Sequence, residues 1–243
     1  MSEIVKTEAV VLNKIDFGDT SNIASFFTKE FGRISAIVKG GRNPKSKISL
    51  IVDPLNHLEL VLYKKDSRDL QLISNASLIA HFGRIKEDFE KLKYSLAITE
   101  LVKKLTAENE AHPKLFKGII RILDLMETSG GNPQVLFGRF FIFFLGEIGY
   151  DLQLGSCGAC GRANLYGMQL SYVPEIGILC ENCSKNFRGS FTIPVELFDY
   201  LVCLKSNKME SATKETIEKA LIFLEKYLRF HVPDFQGITS FKF

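Results

Sequence analysis

Several signatures are missing from this 243-residue chain, and each absence narrows what it can do. No stretch fits G-x4-G-K-[ST], the loop that cradles nucleotide phosphates, so nothing in the sequence points to work driven by nucleotide hydrolysis. No apolar run approaches the roughly 20 residues of a membrane-spanning helix. The longest, Val135 to Ile148, contains Phe140-Phe141-Ile142-Phe143-Phe144-Leu145 but also Arg139 and Glu147, and reads as a buried helix. Near the amino end, Glu3 and Glu8 leave only Ala9 to Leu12 as an apolar run, so no signal peptide is expected. A strong net charge is also lacking; at +3 the average says little about partners. Cysteine is scarce too, with five in the chain, and four of these lie close together.

Those four are Cys157-Gly-Ala-Cys160 and Cys180-Glu-Asn-Cys183, two C-x2-C pairs separated by nineteen residues. A C-x2-C turn points two sulfurs at one spot, and the intervening stretch is long enough for a hairpin that folds one pair onto the other. This is the spacing of a tetrahedral zinc site, and four thiolates leave no open position for substrate, so a structural Zn2+ is expected. Gly161 permits the tight turn after the second cysteine. Disulfides, a redox dithiol and a catalytic zinc are the competing readings. A nucleobase-deaminase arrangement would pair His57-Leu58-Glu59 with Cys180 and Cys183, but Leu179 stands where that motif has proline, and Cys157 and Cys160 already complete the shell. His57 and Glu59 then read as the solvent face of a strand. Thiolates kept for metal suit a reducing, cytoplasmic compartment.

A hydrophobic content of 46% supports a substantial core, and the length suits two or three units. From Ile4 to about Asn75 the apolar runs are short and punctuated by turns, which predicts five strands: Ala9 to Asn13, Asn22 to Lys29, Arg33 to Lys39, His57 to Tyr63 and Leu70 to Asn75. Turns are expected at Phe17-Gly18-Asp19, Phe31-Gly32, Gly40-Gly41 through Pro44, Asp53-Pro54 and Asp66 to Asp69. Five such strands suggest a small closed barrel, and the OB-fold is the common nucleic-acid-binding barrel of that size.

Beyond Phe82 the apolar period becomes helical. One helix is expected over Arg84 to Glu108, with Ile85, Phe89, Leu92, Leu96, Leu101 and Leu105 on its stripe. A second begins near Pro113, a third runs from about Gln134 to Ile148, a fourth opens at Pro194, and the last covers Ser211 to Phe230 with Ile217, Leu221, Leu224 and Leu228 facing inward. Cys203 falls on an apolar stripe as a buried thiol. The predicted class is α+β: an OB-fold barrel over 1–80, a helical domain over 81–150 and 190–243, and a four-cysteine zinc ribbon over 151–189 inserted within it. The ribbon's hairpin is expected at Leu165 to Tyr172 and Ile176 to Leu179, with too little core of its own to fold without metal.

Charge is concentrated in one place. Arg33, Lys39, Arg42, Lys45 and Lys47 occur within fifteen residues that contain no acidic side chain. The last four sit on a flexible Gly-, Asn-, Pro- and Ser-containing loop that leaves the third strand, as expected of a phosphate-binding surface. Arg162, Lys185 and Arg188 near the cysteines are read as offsetting thiolate charge.

Taken in order, Phe17-Gly18-Asp19-Thr20-Ser21, Thr28 to Ser35, Val38-Lys39-Gly40-Gly41-Arg42-Asn43-Pro44-Lys45-Ser46-Lys47, Leu58-Glu59-Leu60 and Leu145-Gly146-Glu147-Ile148-Gly149-Tyr150 resemble the RecO family of bacterial DNA-repair proteins over nearly the whole chain. The resemblance implies a recombination mediator without catalytic chemistry. Such a protein binds single- and double-stranded DNA, anneals complementary strands, and with RecR helps load RecA onto DNA covered by single-strand-binding protein. It also implies DNA contact through Arg33, Lys39, Arg42, Lys45 and Lys47, recognition of the acidic, Phe-ending tail of single-strand-binding protein by the helical region, and nucleoid association during repair. The Phe140 to Phe144 neighbourhood is a candidate for that tail, although core packing is the default for so apolar a helix. An alternative from another class is a zinc-ribbon protein-interaction scaffold without direct DNA binding; a third is a metalloenzyme with an unrecognised site.

Overall fold

The computed structural model describes residues 3–65, 67–206, 208 and 212–241. Asp66, where one turn was expected to begin, and Ser211, the expected start of the last helix, lie outside them, as do Lys242 and Phe243 of the tail.

Five strands close into a barrel in the order β1-β2-β3-β5-β4: β1 (Glu3–Phe17), β2 (Ser21–Thr28), β3 (Gly32–Val38), β4 (His57–Lys64) and β5 (Leu70–Ala80). All pairings are antiparallel except β3 with β5. This is the OB arrangement the turn spacing suggested. Strand β1 is far longer than the apolar run Ala9 to Asn13 indicates, because its first half pairs with β4 and its second half with β2, with a bulge between Val11 and Asn13. A strand serving two neighbours can carry charged residues at both ends: Lys6 meets Glu59 across the ladder at 2.9 Å, and Lys14 meets Asp53 at 2.9 Å. The interior is filled by Ala9, Val11, Ala24, Phe26, Ile34, Ala36, Val38, Leu58, Leu60 and Leu62, all buried. Between β3 and β4 a short helix, α1 (Lys47–Ile51), packs Ile48 and Ile51 against this core.

By packing, the chain forms two compact units: 1–133 with 238–243, and 134–237. In the first, α2 (Gly83–Glu87), α3 (Phe89–Leu105) and α4 (Pro113–Thr128) accompany the barrel. The single helix expected over Arg84 to Glu108 is broken at Asp88, whose backbone is extended and whose side chain accepts a bond from the Lys91 N–H. That cap resets the phase of the helix. Tyr94, Ala97, Ile98, Leu101 and Val102 become the buried stripe, whereas Phe89, expected on it, is 63% exposed. Glu127 of α4 accepts from the N–H groups of Arg84 and Ile85 at 3.1 and 3.0 Å, satisfying the start of α2.

The second unit contains α5 (Pro133–Glu147), a three-stranded sheet of β6 (Leu170–Val173), β7 (Gly177–Cys180) and β8 (Phe191–Ile193), a short helix α6 (Glu181–Ser184), α7 (Val195–Ser206) and α8 (Lys214–His231). Phe140, Phe141 and Phe144 are core residues, so the apolar helix packs inward. Gly138 lets α5 approach α7 and α8: a Cβ there would sit 3.3 Å from Leu204 and 3.5 Å from Leu221. Thr213 caps α8 by accepting from the Thr216 N–H, and Ile217, Leu224 and Leu228 are buried as expected.

Candidate nucleic-acid interface and metal centre

The basic segment is not an open loop. It is a chain of tight turns: Gly41 donates to the Val38 carbonyl, Asn43 to Gly40, Ser46 to Asn43 and Ser49 to Ser46, each between 2.9 and 3.1 Å. Gly40 has φ +70°, and Gly41 is packed so closely that a Cβ would sit 3.0 Å from the Val38 carbonyl oxygen. These positions require glycine for reasons of shape. Arg42 fastens the turns to the β1–β2 hairpin. Its backbone N–H donates to the Thr20 carbonyl at 3.1 Å, its guanidinium to the Gly18 carbonyl at 2.5 Å, and it lies 3.4 Å from the Asp16 carboxylate.

Lys39, Lys45 and Lys47 are exposed around this clasp, and their ammonium groups have no carboxylate partner among the described residues. Arg33 is elsewhere. It is the second residue of β3, at the opposite end of the strand from Lys39, and its guanidinium is occupied by the Thr106 carbonyl at 3.1 Å and Glu108 at 2.8 Å. The structure thus brings four of the five basic candidates together and uses Arg33 to join the barrel to the α3–α4 connection. At the adjacent β2–β3 turn Gly32 has φ +66°, and an added Cβ would fall on the Glu110 carbonyl.

His57 and Glu59 do not share a solvent face. His57 is buried, with Nε2 3.1 Å from Glu8 and its ring edge-on to Phe116 at 5.9 Å, because α4 covers this wall of the barrel. Burial holds its pKa below the ordinary histidine value against the opposing pull of Glu8. Beside it, Lys29, Phe116, Lys117, Ile120, Arg121, Asp124 and Leu125 line a groove of about 380 Å³ that also touches Glu8 and Thr128.

The sulfurs of Cys157, Cys160, Cys180 and Cys183 all lie within 4.8 Å of one another, with Cys160 and Cys180 3.9 Å apart. For Zn–S bonds of about 2.3 Å, the edge of a regular tetrahedron is about 3.8 Å. The four thiols therefore surround a space of the right size for an ion, and none is disulfide-bonded. The local fold explains the convergence. Gly161, at φ +71°, donates to the Cys157 carbonyl at 2.9 Å and closes the first knuckle. Gly158 donates to the Ile178 carbonyl at 2.8 Å and lies against the Ile176 carbonyl, where any side chain would collide. Burial would raise the Cys157 thiol, but N–H groups of Cys180, Cys160 and Ala159 converge on its sulfur and bring it down to about 6; Cys183, bonded to the other thiols, is pushed up to about 12. N–H groups aimed at the Cys157 sulfur favour its thiolate, the form that binds a metal ion.

The module is larger than the expected hairpin. Strand β8 adds to β6, and Tyr172 on β6 contacts Phe191, Phe223 and Tyr227 at ring separations of 5.3, 5.3 and 6.1 Å, so the sheet shares its core with α8. Nothing in the periodicity of a four-residue strand could have identified Tyr172 as that anchor. Arg162, Lys185 and Arg188 are all exposed. Among the described residues, no helix is long and apolar enough to cross a membrane.

Comparisons with known proteins agree over nearly the whole chain. Residues 1–82 match the family described as Recombination protein O N terminal, and residues 86–236 match Recombination protein O C terminal. A DNA repair protein RecO of Chloroherpeton thalassium is 32% identical over 98% of this chain and 96% of its own length. One from Pelodictyon phaeoclathratiforme is 30% identical over 96% and 95%, respectively. One from Syntrophomonas wolfei is 26% identical over 92% and 88%. With a five-stranded barrel at its amino end, a cysteine cluster in its second half and both family matches in order, the chain belongs to the RecO family of DNA-repair proteins and has a recombination-repair role.

Proposed function

We propose that the protein is a non-enzymatic recombination mediator that binds single- and double-stranded DNA through the barrel, residues 1–80, anneals complementary strands, and with RecR helps RecA load onto DNA coated by single-strand-binding protein. The observation that carries this reading is the basic segment after β3, a rigidly turned platform free of acidic residues and clasped to the β1–β2 hairpin of an OB barrel. Lys39, Lys45 and Lys47 neutralise phosphates, releasing counterions and giving affinity without sequence preference. Arg42 holds the platform and adds its charge, and Arg33 supports β3 from the far end. Two strands neutralised on one surface repel each other less, so they pair faster without nucleotide hydrolysis.

The test is a salt titration. Replacing Lys39, Lys45 and Lys47 together by Ala should weaken binding to all sequences alike and shrink the log–log salt slope for single strands by about 2. An unchanged slope removes the platform from the DNA surface.

The groove beside His57 combines Lys29, Lys117 and Arg121 with the apolar Phe116, Ile120 and Leu125, which suits the acidic, Phe-ending tail of single-strand-binding protein better than the Phe140 to Phe144 stretch does, where Phe140, Phe141 and Phe144 are buried and Phe143 is 37% exposed. An Arg121→Ala variant with undiminished affinity for a tail peptide would discard that assignment. The four cysteines hold a structural Zn2+, the ion whose size and thiolate preference suit the cluster. The protein acts in the cytoplasm, at the nucleoid during repair.

A further inference from the structure

The barrel register aligns outward-facing apolar side chains across its strands. Ile15 of β1 is opposite Ile23 of β2, Ile23 is opposite Ile37 of β3, Ile37 is opposite Leu72 of β5, and Leu72 is opposite Tyr63 of β4. Residues paired in register share a face of the sheet. The neighbouring positions Ala24 and Ala36 are wholly buried, so this row must point outward. At about 4.8 Å per strand it runs roughly 19 Å around the barrel. Ile15 is 57% and Tyr63 36% exposed, and Phe17, one outward step beyond Ile15, is 48% exposed. Barrels of this size ordinarily place apolar side chains inside and polar ones outside. Within the first unit, helix α3 packs on β1 and β2 and the Arg33–Glu108 pair holds the other end of β3, while Ile23, Ile37 and Leu72 in the middle of the row stay partly exposed.

Charge settles what suits this surface. Lys39 follows directly on the end of β3, two positions past Ile37, and the hairpin bearing Phe17 is the one clasped by Arg42. An occupant must therefore present apolar rings and closely spaced anions together. An unpaired nucleic-acid strand does so, whereas a duplex buries its ring faces in its own stack. We propose that Phe17 and the row Ile15, Ile23, Ile37, Leu72 and Tyr63 form a floor for the bases of an unpaired strand whose phosphates lie on Lys39, Lys45 and Lys47. This rests on the reading of the platform as a DNA surface and adds a preference for single strands. A strand held with its bases on this floor is kept extended and unfolded, yet can be handed to a complement.

Phe17→Ala should weaken binding of a single-stranded oligothymidine by roughly tenfold, while leaving affinity for a duplex of equal length, and the salt slope, unchanged. The chain contains no tryptophan, so Phe17→Trp places a single tryptophan on the floor, excited selectively over the seven tyrosines. Its emission should be quenched by oligothymidine and not by duplex. Equal weakening of both DNAs by Phe17→Ala, or an unquenched Phe17→Trp protein that still binds oligothymidine, overturns the floor and leaves the platform intact. Failure of the triple lysine variant to lose affinity would instead count against the platform, so the two readings fail separately. Quenching by a protein partner but not by oligothymidine would give this face to that partner and also overturn the proposal.

Discussion

Replacing Glu100 by Gln tests how the segment Thr239–Phe241 is held against α3. The Glu100 carboxylate on α3 accepts the N–H and Oγ1 of Thr239, both at 2.7 Å, the N–H and Oγ of Ser240 at 2.8 and 2.6 Å, and Lys104 Nζ at 2.6 Å. These bonds pin the short 3-10 turn Thr239–Phe241, whose Phe241 ring stands edge-on to Tyr94 at 5.3 Å. Burial by itself would raise the carboxyl pKa, but the bonds from Lys104, Ser240 and Thr239 outweigh it and bring the pKa from 4.5 down to about 2. A drop of that size corresponds to about 3 kcal/mol of stability at neutral pH. Because the folded value is depressed, the contribution is complete above the unfolded pKa of 4.5 and is lost as pH falls toward 2. By pH 3.5 about 1.4 kcal/mol should be gone. Gln keeps the shape but removes the charge and points an amide N–H2 at hydroxyl and backbone donors. We expect Glu100→Gln to cost about 2–3 kcal/mol at pH 7, read as urea midpoints at unchanged slope, and the gap from the parent protein to narrow steadily between pH 5 and 3.5. A gap that is small at pH 7, or that does not change with pH, would refute the reasoning.

Two further perturbations address the metal centre and the barrel. Cys157→Ser removes one of four ligands, so elemental analysis should find zinc lost and the melting temperature should fall; zinc retained in full would contradict the four-thiolate assignment. Gly32→Ala forces a side chain onto the Glu110 carbonyl at φ +66° and should cost at least ~2 kcal/mol. The control is Gly18→Ala, where φ is +58° but nothing lies within 4 Å, so only the backbone cost of about 1 kcal/mol should appear. Equal losses in the two variants would mean that the Glu110 contact contributes nothing.

Much of this protein is written in local sequence. The two C-x2-C pairs, with Gly158 and Gly161 placed where only glycine fits, determine that four sulfurs converge, since the chemistry of each knuckle is settled within five residues. Alternation in Ile34-Ser35-Ala36-Ile37-Val38 fixes which face of β3 is buried. Pro113 and the apolar Phe cluster likewise fix where α4 begins and that α5 is buried. Tertiary structure decided the rest, wherever a residue's partner is far away in the chain. His57 has the sequence signature of an exposed strand residue until α4 covers it. Arg33 belongs to a cationic run by composition but is taken by Glu108, seventy-five positions later. Asp88 divides a helix that periodicity alone would continue. The outward apolar row arises from strand register, which no single strand encodes: Ile15, Ile23, Ile37, Leu72 and Tyr63 are ordinary half-exposed residues one by one, and become a continuous surface only when the barrel closes and aligns them.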